Sequence, residues 1–207
     1  MTGRFLTLEG GEGVGKSTQA RRLAAALRAR GLDVVETREP GGSAGAEAIR
    51  AMLLQGDPDR WTARSEALLF AAARADHVAR TIRPALEAGR WVVCDRYLDS
   101  SLAYQGSADG IGEEAIRMLH TVSSEGLLPD RTFLLEIESG IAASREGARD
   151  GGRRDRIGGR QNDYHQNVAA AFRRLADAEP ARIRTIDGSG SPDSVTTRMI
   201  AALADLL

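Results

Sequence analysis

Lysine is all but missing from this chain of 207 residues. Of its 28 basic residues, 27 are arginine, and the one lysine is Lys16. Cysteine is equally scarce. Cys94 alone cannot form an internal disulfide, and its apolar neighbours suit a small core side chain better than a nucleophile. Net charge is scarce too: a balance of −1 excludes the basic excess that marks nucleic-acid or acidic-membrane binders. No apolar run approaches the roughly 20 residues that span a bilayer. The chain enters an apolar strand almost at once, so no signal peptide is expected, and a cytoplasmic location follows. The hydrophobic fraction of 42% is enough for one real core, so residues 1–207 are expected to form a single domain.

What is present begins with Gly10-Gly11-Glu12-Gly13-Val14-Gly15-Lys16-Ser17-Thr18. The run fits G-x-x-x-x-G-K-[ST], a phosphate-binding loop. Phe5–Leu8 before it is a short β-compatible run. Ala20, Leu23, Ala24 and Leu27 after it recur at helical spacing. Glycines let backbone N–H groups turn inward onto phosphate oxygens, and the following helix adds its positive end. Lys16 is placed to reach the outer phosphates, and the Ser17 hydroxyl to ligate Mg²⁺. A compact ammonium suits this task better than a planar fork, which explains a lysine in a chain otherwise given to arginine.

Strands are expected at 4–9, 33–37, 91–94, 132–137 and 183–187. Helices are expected at about 16–30, 45–54, 62–88 and 113–123, with a last one after Ser191-Pro192. Pro84 is a point of kinking or division in the long middle helix. That helix is apolar on more than one face around 67–73, which fits a buried core or a subunit interface. The alternation implies an α/β fold with a five-stranded parallel sheet and helices on both faces, so ligands should bind beyond the carboxyl ends of the strands. Strand order is not readable from the sequence.

Other clusters fall at those strand ends or on the middle helix: Arg38–Gly42, Phe70 with Arg74, Asp95-Arg96-Tyr97, and Ser100–Gln105. Phe70 and Arg74 share a helix face. They could stack a base and bond its edge, or be ordinary core and surface. Residues 146–160 hold five glycines and five arginines. Such a stretch is either a solvated loop or, beside a phosphate-binding loop, an arginine-rich lid.

With those motifs in order and spacing, the chain resembles the bacterial thymidylate (dTMP) kinases over nearly its whole length. The matching runs are the phosphate loop, Thr37–Gly42, Glu66–Ala72, and Asp95–Tyr97 through Ser100–Gly106. The resemblance implies a P-loop NTPase fold of the nucleoside monophosphate kinase kind, with a lid at about 146–160, ATP and dTMP as substrates, Mg²⁺, and a homodimer. It implies that Glu12 accepts from the deoxyribose 3′-hydroxyl and that Arg50 and Arg96 hold the dTMP phosphate. Phe70 would stack on thymine, and Arg74, Ser101 and Gln105 would meet its edge. Tyr104 would lie against the sugar, while Pro40 and Tyr97 would shape the pocket. Asp95 would join Ser17 at Mg²⁺, with Glu39 assisting through water. The family divides by where its catalytic arginine sits. Here the loop position beside Glu12 is Gly13, so the lid should supply the charge, from Arg149, Arg153, Arg154 or Arg156, with Arg153 preferred. One departure stands out: the acidic residues expected after Arg156-Ile157 are replaced by Gly158 and Arg160.

The implied reaction is in-line transfer of the ATP γ-phosphoryl group to dTMP, giving dTDP and ADP without a strong general base. His77, His120 and His165 are given no catalytic role. Rivals are a kinase for dUMP, CMP or AMP, a nucleotide-dependent switch that hydrolyses slowly without an acceptor, and a nucleic-acid binder. Arg74 favours a pyrimidine with an oxygen at position 4, which cytosine lacks.

Overall fold

The computed structural model describes residues 3–137 and 156–207. Its centre is a sheet of five parallel strands: β1 (Phe5–Glu9), β2 (Val34–Arg38), β3 (Trp91–Asp95), β4 (Arg131–Glu136) and β5 (Ile183–Asp187). They lie in the order β2-β3-β1-β4-β5, so β1 is central. Register aligns Leu8 with Asp95, and Arg38 with Asp95, so the carboxyl ends of β1, β2 and β3 come level. Parallel strands covered on both faces must be apolar on both, and β1 is buried throughout.

The faces divide the core in two. Leu6, Leu8, Val93, Phe133 and Leu135 pack against α1 (Lys16–Arg28) and the last helix, α8 (Pro192–Ala201). Phe5, Val92, Cys94 and Leu134 face α3 (Ala63–His77), α6 (Glu113–Ser124) and α7 (Asn162–Ala178). Burial pushes the Cys94 thiol well up, in keeping with a core role. α2 (Ala44–Leu54) packs along α3.

The expected helix at 62–88 is in three parts. α3 starts at the N-cap Thr62, whose hydroxyl accepts from the Ser65 amide at 3.2 Å. It runs into a π-helical turn at Val78–Ile82 and then the short α4 (Arg83–Glu87). Pro84 accounts for the division: it has no N–H to give, and its ring crowds the carbonyl four residues back, so the chain widens a turn before it. Two helical stretches are additional to those expected. One is α5 (Leu98–Ser101), which continues as a π-helical stretch at Leu102–Ala108. The other is α7, whose buried Val168, Ala171, Phe172, Leu175 and Ala176 repeat at helical spacing.

Candidate active site

The level carboxyl ends of β1, β2 and β3 open into one cleft, lined from the phosphate loop at one end to Phe70 and Gln105 at the other. At the first end, Gly10 has φ 133° and a Cβ there would lie 2.5 Å from the Leu135 carbonyl oxygen, so the loop leaves β1 pressed against β4. Gly15 caps α1 with φ 96°. No side chain caps that helix and no acidic residue enters its first turn, so its leading N–H groups are left for an anion. The Lys16 ammonium donates to the Gly11 carbonyl at 2.5 Å. Burial, and then the Arg96 charge, bring its pKa down to about 8.

Ser17 donates to Asp95 Oδ2 at 2.5 Å. The other oxygen, Asp95 Oδ1, is buried and has no hydrogen-bond partner among the described residues. A hydroxyl beside a carboxylate with an unsatisfied oxygen suits Mg²⁺, which takes few protein ligands and completes its shell with water and phosphate. No group of three or more His, Cys, Asp or Glu side chains that could cage a metal occurs among the described residues.

The middle of the cleft belongs to Arg96. It leaves β3 with φ 71°, a left-handed backbone at a non-glycine residue. That turn brings its guanidinium back to Glu12 Oε1 at 2.6 Å, the Gly10 carbonyl at 3.1 Å and the Ser100 hydroxyl at 3.0 Å. The Tyr104 hydroxyl donates to the same Glu12 oxygen at 3.3 Å, and Arg96 lies over the Tyr104 ring. The Glu12 carboxylate, which would repel phosphate on its own, is thus neutralised by an arginine. Below them Glu9, fully buried, accepts from the Tyr97 amide at 2.8 Å and the Ser100 amide at 3.2 Å, pinning the turn after β3. Burial, and then the Asp99 charge, raise its pKa to about 7.

The far end is a buried polar network. Arg74 donates from Nε to Glu39 Oε2 at 2.8 Å and from Nη2 to the Ser101 hydroxyl at 2.9 Å and the Tyr97 carbonyl at 3.1 Å. Glu39 Oε1 accepts from His77 Nδ1 at 3.1 Å, and His77 Nε2 faces the Thr37 hydroxyl at 2.7 Å. Burial alone would raise the Glu39 pKa, but Arg74 and His77 hold it below the usual carboxylate value. Phe70 stands half-buried on the cleft wall one helical turn before Arg74. Arg50 lines the cleft and donates to the Pro40 carbonyl at 2.7 Å.

A family model described as thymidylate kinase matches residues 8–199. The chain belongs to the thymidylate kinase family. It is 70% identical to a thymidylate kinase of Rhizorhabdus wittichii over 207 residues, covering all of both chains. It is 46% identical to one from Bradyrhizobium diazoefficiens, covering 99% of this chain and 90% of that one. The solved thymidylate kinase of Ehrlichia chaffeensis superposes with a TM-score of 0.81 at 29% identity, covering 98% of this chain and all of that one. The expected P-loop nucleoside monophosphate kinase fold is therefore the observed one.

Glu12, Gly13, Gly15, Lys16, Ser17, Glu39, Arg50, Phe70, Arg74, Asp95, Arg96, Ser101, Tyr104 and Gln105 share one cleft. Val14 does not line it and packs in the core, while Thr18 is exposed outside it. One expectation needs revising. Both Glu39 oxygens are taken by Arg74 and His77, so this carboxylate orients Arg74 rather than reaching toward a metal's waters. Tyr97 lines the cleft together with Pro40, while its hydroxyl donates to the Leu127 carbonyl at 3.1 Å and its ring packs edge-on to Phe5 under Arg74. His77, given no catalytic role from the sequence, is the buried partner that fixes Glu39.

Arg149, Arg153 and Arg154 lie outside the described residues. Arg156 is buried. It donates to the Leu53 carbonyl at 2.8 Å and pairs with Glu66. Arg160 pairs with Glu66 at 2.8 Å and Asp109 at 2.7 Å, and lies over the Tyr164 ring. Glu66, Glu9 and Asp109 were not singled out from the sequence. A carboxylate in the apolar run Glu66–Ala73 was the available signal, since a buried charge requires partners.

Proposed function

We propose that this chain transfers the γ-phosphoryl group of ATP to the 5′-phosphate of dTMP, giving dTDP and ADP. The observation that carries this reading is a single cleft with a phosphate loop at one end, an aromatic wall with buried hydrogen-bonding groups at the other, and arginines between them. In the ATP part, the backbone amides of residues 10–18 and the Lys16 ammonium bind the phosphates. Ser17 and Asp95 would hold Mg²⁺, which would supply charge neutralisation on them. Arg50 and Arg96 hold the acceptor phosphate, already anionic at neutral pH, so that its oxygen faces the γ-phosphorus. Glu12 takes the 3′-hydroxyl, with Tyr104 against the sugar where a 2′-hydroxyl would have to go. Phe70 stacks the base, Arg74 gives a donor to O4, and Ser101 and Gln105 complete the edge. Lid arginines, Arg153 foremost, would bring charge to the transferring group.

We further infer that the chain acts as a homodimer in the cytoplasm, with residues 1–207 as one functional domain. Leu68 on α3 and Met118 and Val122 on α6 are exposed on helices packed against each other, and an apolar surface of that kind suits a second copy. No helix among the described residues is long and apolar enough to cross a membrane.

The test is coupled ADP release with Mg·ATP and dTMP, against dUMP, the ribose form of TMP, dCMP, CMP, AMP and no acceptor. A strong preference for dTMP is expected. ADP release indifferent to every acceptor would overturn the reading in favour of a nucleotide switch. Light scattering behind a sizing column checks the dimer; a monomer at micromolar concentration would remove it.

A further inference from the structure

Glu66 stands on α3 four residues before Phe70 and eight before Arg74, and it has no exposure at all. Its Oε2 meets the guanidinium groups of Arg156 and Arg160, the latter at 2.8 Å. Its Oε1 accepts from the amide nitrogen of Gln105 at 3.0 Å. A carboxylate clamped by two guanidinium groups offers only acceptors, so Gln105 can approach it by one end alone, its nitrogen. The other end of that amide, Oε1, makes no hydrogen bond among the described residues, and Gln105 lines the cleft. A free glutamine could turn either end toward a ligand. Beside Glu66 it cannot.

We propose that Glu66 is a positioning residue that locks the Gln105 amide with its oxygen toward the cleft, and so makes the site select a pyrimidine carrying a proton on N3. This rests on the reading of the cleft as a pyrimidine nucleotide site. Thymine and uracil donate at N3 and accept at O4. Cytosine reverses both, with a bare N3 and an amino group at position 4. An acceptor from Gln105 beside a donor from Arg74 matches the first edge and opposes the second at two adjacent points. Opposed acceptors leave buried groups unpaired, which is where hydrogen-bonding sites gain most of their discrimination. The two arginines make the arrangement sustainable, because an unpaired carboxylate at this depth would not persist as an acceptor. Arg160 stands at a position where the resemblance leads one to expect an acidic residue, so part of the clamp belongs to this chain's own variation.

The experiment is the ratio of kcat/KM for dTMP to that for dCMP, before and after Glu66→Gln. The new amide can donate as well as accept, so Gln105 regains both orientations. The ratio is expected to fall by about tenfold or more, mostly through KM, with kcat for dTMP changing less. In a Gln105→Ala background the same substitution should leave the ratio unmoved. General damage would instead lower both substrates together. A ratio unaffected by Glu66→Gln, or affected equally without the Gln105 amide, overturns the inference. Should Glu66→Gln fail to fold, neutron diffraction of the unaltered enzyme with dTMP decides: amide deuterons facing Glu66 support the proposal, and amide deuterons facing the base overturn it. If dTMP gives no turnover in any form of the protein, the functional reading fails and takes this inference with it. If dTMP is preferred but the ratio survives the substitution, this inference fails alone.

Discussion

The two ends of the cleft are built differently. The phosphate-loop end is mostly one contiguous stretch, residues 10–18, which offers main-chain N–H groups, one lysine and the Ser17 hydroxyl, joined by Asp95 from the end of β3. The far end is gathered from β2 and the residue after it, α3, α5 with its π-helical continuation, and the segment that begins at Arg156. It works through side chains that hold one another: Thr37, His77, Glu39, Arg74 and Ser101 in one chain, Gln105, Glu66, Arg156 and Arg160 in another. Backbone recognition depends on conformation and tolerates change in most side chains. A buried network fails when any member is lost. The first design should therefore separate chemistry from stability, and the second should tie them together.

The largest effect should come at the phosphate end. Lys16→Ala is expected to lower kcat by about 10³-fold while the melting temperature holds, because burial already works against the charge being removed. A fall in melting temperature matching the loss of activity would erase the contrast between the two ends. Next, Arg74→Leu should cost about 3 kcal/mol of stability, read by urea unfolding, because it leaves the Glu39 carboxylate buried with His77 as its remaining partner. The double change Glu39→Leu with Arg74→Leu should recover much of that stability but not dTMP turnover. If the single Arg74 variant is as stable as the parent, the network is not a unit.

The smallest effect sharpens the comparison by pH. Lys16 has its pKa lowered from the usual lysine range to about 8, so above that pH the empty site holds a neutral amine. Phosphate needs the ammonium, so nucleotide binding must then take up a proton. KM for ATP should rise by up to about tenfold per pH unit above 8 and be flat below about pH 7. KM for dTMP should not follow, since Glu39 is held below the ordinary carboxylate range and keeps its charge throughout. Calorimetry of ATP binding at pH 8.5 in buffers of different ionisation enthalpy measures the uptake directly; no uptake would mean that Lys16 keeps its proton in the empty site.

This contrast also explains how much was legible in the sequence. The phosphate loop, the parallel sheet and most strand limits follow from local pattern: a glycine spacing, an apolar run, a cap. The cleft's named residues came together because the carboxyl ends of parallel strands converge. What escaped was non-local. Nothing in the spacing of Glu39 and His77 announces that they meet, and nothing near Glu66 in sequence points to Arg156 or Arg160. The helix at 162–178 is a different case. Val168, Ala171, Phe172 and Leu175 carry its period plainly, directly after a glycine- and arginine-rich stretch that has none. The division at Pro84 was anticipated, but its π-helical form was not, because a wider turn depends on what the helix packs against.

The left-handed backbone at Arg96 has a consequence for heredity. Every arginine codon is one base from a glycine codon, and glycine is the residue that this conformation favours. A single-base change at position 96 can therefore ease the backbone while deleting the guanidinium that spans Glu12, Gly10 and Ser100. Its product would be a well-folded, long-lived chain without the central guanidinium of the cleft, spared by quality control. Few other positions in the molecule would let so damaging an allele pass so quietly through folding.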